Sequence, residues 1–209
     1  MDGCVRWLYA GLIVTLLSAA GCTELKRLAY EGPDRDRWQQ PERVIESLAL
    51  TPGSRVADLG AGSGYFTFRL AEAVGPTGEV LAVDIDEGMN ASLRADVRQR
   101  GVGHVEVVLA SASDARLPPG RLDLVFSSNT YHHLQDRVAY FDRLRAALAP
   151  GGRVALIDFV PAGLFQRRHA TERVTLRDEM ERAGYVRVAS FAYLERQSFE
   201  IFAPVQVVQ

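Results

Sequence analysis

Hydrophobic and polar residues alternate along the chain in two patterns, one typical of buried strands and one typical of amphipathic helices. Short apolar runs predict strands at residues 55–59, 79–84, 105–109, 122–127 and 153–159. Apolar residues that recur every three or four positions predict helices at 41–49, 65–74, 88–100 and 134–148. This alternation favours an α/β fold, in which a parallel sheet carries helices on both faces.

The C-terminal part of the chain departs from this alternation. A helix predicted at 171–183 is followed by two apolar runs, 185–191 and 197–202, which we expect to pair as an antiparallel hairpin. The whole pattern predicts a Rossmann-like, doubly wound and mostly parallel sheet. Ligands of such sheets bind at the carboxyl ends of the strands.

A glycine-rich turn, DLGAGSG, directly follows the first predicted strand at 58–64. Gly60, Gly62 and Gly64 permit positive φ angles and let a ligand approach the main chain where the next helix begins. A dehydrogenase fingerprint would need its third glycine at Tyr65, so that pattern fails. Asp84 ends the second strand roughly 20 residues downstream, the spacing at which a carboxylate accepts hydrogen bonds from ribose hydroxyls. On its own, such a turn is more often a plain connection between strand and helix.

From about Trp38 to the C-terminus, the chain resembles the class I S-adenosylmethionine-dependent methyltransferases. Asp58 to Gly64 resembles the first motif of that family, and Asp84 its acidic ribose ligand. Residues 112–118 resemble the adenine-flanking loop, 122–127 the fourth strand, and 144–152 the helix and turn before the fifth. The resemblance implies a seven-stranded sheet and S-adenosylmethionine as cofactor. It implies these cofactor-binding residues: Asp58, Gly60, Gly62, Gly64, Asp84, Ile85, Asp114, Ala115 and Ser127.

The segment after the fourth strand contains the candidate catalytic residues Tyr131, His132 and His133. Methyl transfer from a sulfonium mainly requires alignment and desolvation, and a histidine can act as a base near neutral pH. We therefore expect these residues to line an acceptor pocket, although they could instead cap the next helix. Adjacent histidines are expected to point in different directions, so no metal site is predicted. His169 is a further pocket candidate, and His104 is expected at the surface.

The nature of the acceptor is only partly indicated by the sequence. The net charge is −2, and the segment after the fourth strand lacks the consecutive prolines of amino-directed DNA methyltransferases. Nucleic acid is therefore disfavoured, and a small-molecule or lipid-like acceptor is expected. Similarity to quinone-biosynthesis methyltransferases is an analogy at the level of the fold. Four arginines form either a solvated surface or a patch for an acidic substrate: Arg167, Arg168, Arg173 and Arg177.

The N-terminus resembles a bacterial lipoprotein signal. Residues 5–20 are mostly apolar and precede the sequence SAAGC, in which Cys22 would carry the lipid. The predicted organisation is a signal peptide at 1–21, a tether or cover segment at 22–40, and a methyltransferase domain at 41–209. An uncleaved anchor, or a wrongly assigned start and a cytoplasmic domain, are the alternatives. The only cysteines are Cys4 and Cys22, which disfavours an arsenite methyltransferase.

Two questions stay open at the level of sequence. A lipid-anchored domain in the cell envelope would be separated from S-adenosylmethionine, which is made in the cytoplasm. The alternative functions are a noncatalytic, membrane-tethered binding module and an NAD-dependent oxidoreductase. Trp38 either covers the cofactor or fills a hydrophobic seam, and the oligomeric state is not indicated.

Overall fold

The computed structural model describes residue 32, residues 34–161 and residues 169–205. The predicted signal peptide, Cys22 and most of the tether lie outside these residues, as do Arg167 and Arg168. One compact unit begins at Asp34, so residues 34–40 of the predicted tether or cover segment belong to the same unit as the domain. Within the described ranges, no helix is both long enough and apolar enough to cross a membrane.

Helices and strands alternate in the order that the sequence predicts. The strands are β1 Arg55–Leu59, β2 Glu79–Asp84, β3 Val105–Leu109, β4 Leu122–Ser128, β5 Leu148–Phe159, β6 Tyr185–Phe191 and β7 Gln197–Pro204. The α-helices are α1 Arg35–Gln39, α2 Pro41–Leu48, α3 Thr67–Val74, α4 Glu87–Arg100, α5 Arg137–Leu144 and α6 Arg173–Arg182. Single 3₁₀ turns occur at Tyr131–His133 and Arg145–Ala147.

The strands form one seven-stranded sheet in the order β3-β2-β1-β4-β5-β7-β6. The pairs from β3 through β5 are parallel, and β7 pairs antiparallel with both β5 and β6. This confirms the predicted fold class, including the C-terminal hairpin. The strand order reverses between β1 and β4, and the crevice at such a reversal is where sheets of this type bind ligands.

Hydrophobic side chains cover both faces of the sheet. One face packs against α2, α3 and α4 through Val44, Leu70 and Leu93. The other packs against α5 and α6 through Phe141 and Leu176. Because neighbouring residues of a strand point to opposite faces, strands buried on both sides are nearly continuous apolar runs, which is why they were recognisable in the sequence.

The predicted helices differ from the observed ones by one to four residues at their ends, and in two of them the backbone shows the cause. The helix predicted at 65–74 begins at Thr67, because the glycine turn continues through a hydrogen bond from the Gly64 amide to the Ala61 carbonyl. The helix predicted at 134–148 is limited to α5, because Asp136 before it has a positive φ of 45°. A 3₁₀ turn follows α5, and Leu148 already pairs with Leu122 as part of β5.

Candidate functional site

The three glycines of the turn after β1 have different surroundings. Their φ angles are 81° at Gly60, 53° at Gly62 and 85° at Gly64, all in the left-handed region that favours glycine. A Cβ atom at Gly60 would collide with the Thr130 side chain, and one at Gly64 would lie 2.5 Å from Leu93 Cδ1. A Cβ at Gly62 would meet no atom within 4 Å. Gly60 and Gly64 therefore allow close packing, whereas Gly62 leaves the main chain open to a ligand.

The carboxylate of Asp84 lies directly against the open glycine. Its Oδ2 accepts a hydrogen bond from the Gly62 amide at 2.9 Å, and its Oδ1 accepts one from the Asp86 amide at 2.9 Å. Because a carboxylate offers about four lone-pair positions, about two remain for a ligand. Ile85, next to it, has 64% of its surface exposed and offers an apolar face at the same edge. This arrangement suits a sugar with two neighbouring hydroxyls beside a planar base.

Asp58 is buried beneath the turn. Its Oδ2 accepts a hydrogen bond from Thr67 Oγ1 at 2.7 Å, which links the end of β1 to the first turn of α3. The pKa of this carboxyl is raised to about 6, chiefly by burial and also by the nearby Asp84 carboxylate, whereas Thr67 and Arg35 act to lower it. Asp58 thus holds the turn in shape. The neighbouring Ser63 hydroxyl is buried and has no hydrogen-bond partner among the described residues.

The other predicted cofactor residues, Asp114, Ala115 and Ser127, make contacts of their own with the surrounding protein. The Asp114 side chain accepts a hydrogen bond from the Arg116 amide at 2.8 Å, and the main chain of Asp114 pairs with Ser111. Ala115 is buried, and it lines a shallow cavity together with Asp114 and α5. The Ser127 hydroxyl is buried and donates to the Leu59 carbonyl at 2.9 Å. The side chain of Ser127 is therefore not available to a cofactor, because it joins β4 to β1.

Helix α1 lies beside the glycine turn and the ends of β4 and β5. The Tyr65 hydroxyl donates to Asp36 at 2.5 Å, and buried Gln39 donates through Nε2 to Ser128 Oγ at 2.8 Å. The ring of Trp38 packs on that of Phe159, with centroids 5.7 Å apart. The indole fills the seam over β5, as one of the two interpretations of Trp38 expects, and its role as a cover for the cofactor stays a prediction.

Three histidines converge beside this edge. The ring centroids of His132 and His133 are 4.1 Å apart, and that of His169 is 6.0 Å from each. The expectation that the adjacent histidines point in different directions is wrong, because the 3₁₀ turn brings both rings to the same side. Burial lowers the pKa of His133, and the nearby His132 and His169 lower it further. His104 lies far from this cluster in the fold, where its Nε2 is 3.0 Å from the Ala71 carbonyl.

His132 is held by a buried carboxylate. Its Nδ1 lies 2.6 Å from Oδ1 of Asp158, which is fully buried in β5. Since a carboxylate accepts, Nδ1 carries a proton. The other Asp158 oxygen accepts from Thr171 Oγ1 at 2.8 Å. The imidazole ring of His132 thus has a fixed orientation.

Tyr131 does not line the predicted pocket. Its side chain is 1% exposed and stacks on Phe141 of α5. Its hydroxyl donates to Glu179 at 2.7 Å, and Arg137 donates two hydrogen bonds to the same carboxylate. Burial and this carboxylate raise the pKa of Tyr131. The phenol therefore fastens the 3₁₀ turn to α6, and Tyr131 is corrected from a catalytic candidate to a structural residue.

Two members of the predicted arginine patch are described, and both make structural contacts. Arg173 donates to the Gln197 carbonyl at 3.1 Å, and Arg177 donates to Glu200 at 3.3 Å. Glu200 is fully buried in β7, and its Oε2 also forms an ion pair with Arg187 Nη1 at 3.3 Å. These contacts attach α6 to the hairpin, which gives both guanidinium groups a structural role.

Sequence reasoning missed Asp158, Asp36 and Gln39. Asp158 follows a run of apolar residues in β5, and one acidic residue at the end of a buried strand was the available signal. Asp36 and Gln39 lie in a polar segment without periodicity, where no local pattern distinguishes a covering helix from a tether.

The seven-stranded fold is that of solved methyltransferase structures, and part of the sequence matches a family model. Residues 56–152 match the family model described as a methyltransferase domain. A crystal structure of an S-adenosylmethionine-dependent methyltransferase from Aquifex aeolicus superposes with a TM-score of 0.77 at 22% identity, covering 88% of this chain and 97% of that one. This likeness shows the fold.

Curated relatives agree with the match over the same region. Nocamycin O-methyltransferase of Saccharothrix syringae is 35% identical over 57% of this chain and 42% of its own length. The ubiquinone/menaquinone biosynthesis C-methyltransferase UbiE of Ectopseudomonas mendocina (strain ymp) is 35% identical over 57% of this chain and 47% of its own length. The chain thus spans less than half the length of these two relatives.

Proposed function

We propose that this chain is an S-adenosylmethionine-dependent methyltransferase that acts on a small-molecule or lipid-like acceptor. One observation carries the proposal: the Asp84 carboxylate lies 2.9 Å from the amide of Gly62, and no atom lies within 4 Å of the position that a Cβ of Gly62 would take. The match of residues 56–152 to a methyltransferase domain supports the same activity. The named relatives methylate oxygen in one case and carbon in the other, and both printed activities are compatible with a small acceptor.

The residues present fit S-adenosylmethionine. The free lone pairs of Asp84 suit the two ribose hydroxyls, and the exposed side chain of Ile85 suits one face of adenine. Two buried polar atoms without partners, Ser63 Oγ and Asn90 Oδ1, lie in the glycine turn and in α4 beside Asp84. A bound ligand would satisfy such atoms, because leaving a polar group buried and unpaired costs about 1–3 kcal/mol.

The reaction places small demands on the protein. S-adenosylmethionine, when bound, supplies a methyl group on an already activated sulfonium. The chain then has to align the acceptor and exclude water, which helix α1 assists by covering the edge of the sheet with Trp38. His132 and His133 stand on the acceptor side, and Asp158 holds the Nδ1 side of the His132 ring. The other ring nitrogen, Nε2, is the atom that would take a proton from the acceptor.

Transfer of a labelled methyl group tests this function. The full chain is incubated with S-adenosylmethionine labelled in the methyl group and with fractionated lipid and metabolite extracts. We expect the label to appear in one fraction, with formation of the demethylated product, and to be lost in Asp84→Ala. An Asp123→Ala variant is the control, since Asp123 lies at the opposite end of β4 and bonds the Arg55 amide. Binding of S-adenosylmethionine without any transfer would favour the noncatalytic binding module.

We further propose, from the sequence alone, that the chain is anchored to a membrane of the cell envelope through a lipid on Cys22. The apolar segment 5–20 and the following SAAGC support this proposal. How an exported domain would reach S-adenosylmethionine is the question that this localisation raises. Incorporation of radiolabelled fatty acid into the chain and its absence in Cys22→Ser is the measurement that decides it.

A further inference from the structure

Three imidazoles from two separate parts of the chain meet at one place beside the proposed acceptor site. His132 and His133 belong to the 3₁₀ turn after β4, whereas His169 lies after β5 and before α6. One ligand atom from each of the three lies within 4.8 Å of the other two. Neither the family match nor the relatives assign anything to this cluster.

The cluster has the outer contacts that hold a metal-binding histidine in place. Metal-ligating histidines almost always donate their second ring N–H to a carboxylate, a carbonyl or water, which fixes the ring and increases its basicity. His132 does so to Asp158, a fully buried carboxylate whose other oxygen is held by Thr171. A buried carboxylate that is hydrogen-bonded through both oxygens, one of them to an imidazole, indicates a preorganised site. A histidine at the surface does not require such a partner.

We propose that His132, His133 and His169 bind one divalent transition-metal ion, of which Zn²⁺ is the natural example. Three imidazole nitrogens suit zinc, and three protein ligands leave a fourth position open, as in catalytic zinc sites. Zinc–nitrogen distances of about 2.0–2.1 Å place tetrahedral ligand nitrogens about 3.4 Å apart. His133 and His169 are both exposed, so their rings can rotate to close the remaining gap without moving the core.

The open fourth position gives the metal a role in the proposed reaction. A hydroxyl of the acceptor bound there would release its proton to solvent water more readily, because a metal ion acts as a Lewis acid on a coordinated oxygen. His132 would then serve as a ligand, and the metal, in place of a histidine base, would promote deprotonation of the acceptor. This role rests on the proposed function, whereas metal binding itself requires neither cofactor nor acceptor.

Metal titration of the full chain tests the site. The protein is treated with a chelator, dialysed, and titrated with Co²⁺ by visible absorption and with Zn²⁺ by calorimetry, in the absence of S-adenosylmethionine. We expect one equivalent of Co²⁺ to give the visible bands of a four- or five-coordinate nitrogen site, and Zn²⁺ to displace it. His133→Ala and His169→Ala should each abolish the bands, and we expect both variants to fold because both side chains are exposed.

Two further variants sharpen the result. Asp158→Asn should keep the bands but weaken metal affinity by roughly 10- to 100-fold, the usual effect of removing an outer-sphere carboxylate. His104→Ala should leave metal affinity unchanged, because this imidazole contacts Ala71 away from the cluster.

The proposal is overturned if the chain without substitutions, once freed of metal, shows no stoichiometric Co²⁺ binding. It is also overturned if the His133→Ala/His169→Ala double variant binds as tightly, since the metal would then be held elsewhere. A failure of metal binding leaves the S-adenosylmethionine titration unaffected, so the two proposals fail separately.

Discussion

At the scale of single residues, the glycine turn separates two roles that its sequence does not distinguish. Gly60 and Gly64 are required because Thr130 and Leu93 fill the space where a side chain would go. A Cβ atom at Gly62 would meet no neighbour, and we propose that a ligand approaches the main chain there, next to Asp84. The sequence predicted all three as ligand-binding residues from their spacing, since the packing partners of Gly60 and Gly64 lie far along the chain.

Asp58 makes the stability of the fold depend on pH. Burial raises its pKa to about 6 from 3.8, so between these pH values the folded chain holds a proton that the unfolded chain has released. The free energy of unfolding should therefore fall by up to about 3 kcal/mol as the pH rises from 4 to 7. Asp58→Asn should lose this component, because an amide does not ionise while its oxygen still accepts from Thr67.

Urea denaturation at several pH values measures this effect. The difference in free energy of unfolding between Asp58→Asn and the unaltered chain should grow in favour of the variant as the pH rises. Glu72→Gln, at an exposed position of α3, controls for the loss of one carboxylate. A difference that stays constant from pH 4 to pH 7 would show that Asp58 is ionised without cost in the folded chain.

At the scale of elements, α1 is the part of the site whose structure and position the sequence predicts least well. The segment has only one short helical run, and we assigned it to a tether or cover segment that ends at residue 40. Its position is determined by contacts with residues distant in sequence, namely Tyr65, Ser128 and Phe159. Two helices near the carboxyl ends of the strands also begin later than the sequence predicts. Gly64 and Asp136 have positive φ angles, so a right-handed helix can begin only after them.

Removing one hydroxyl should loosen α1. Tyr65→Phe deletes the hydrogen bond to Asp36 and keeps the ring beneath the Arg35 guanidinium, which lies 3.6 Å from its centroid. A half-exposed hydrogen bond of this kind is worth about 1 kcal/mol, so amide hydrogen exchange at residues 37–40 should accelerate about fivefold.

The matched control is Tyr193→Phe, which removes a hydroxyl that contacts Ser47 and the Arg43 carbonyl on α2. Exchange at residues 37–40 should be unchanged in that variant. Equal acceleration in both variants would mean that Tyr65 has no particular part in holding α1.

At the scale of the whole molecule, the fold was predictable and the chemistry of the acceptor side was not. Most of the parallel strands are buried on both faces, so their apolar runs indicated where they lie along the chain. The glycine turn and Asp84 were predictable because both belong to one strand–helix–strand unit. Asp158 and His169 reach His132 only because β5 lies beside β4 and the chain then returns to the same edge. No local spacing in the sequence records that contact.

The central claim is that the Gly62–Asp84 edge binds S-adenosylmethionine, and calorimetric titration of the full chain tests it most directly. The ligands are S-adenosylmethionine, its demethylated product and NAD, and the variants are Asp84→Ala and Asp123→Ala. We expect the first two ligands to bind and NAD to bind much more weakly. Asp84→Ala should weaken binding by about 2 kcal/mol, or about thirtyfold, through loss of charge-assisted hydrogen bonds to ribose, while Asp123→Ala should not. Preferential binding of NAD, or unchanged affinity for S-adenosylmethionine in Asp84→Ala, would contradict the assignment.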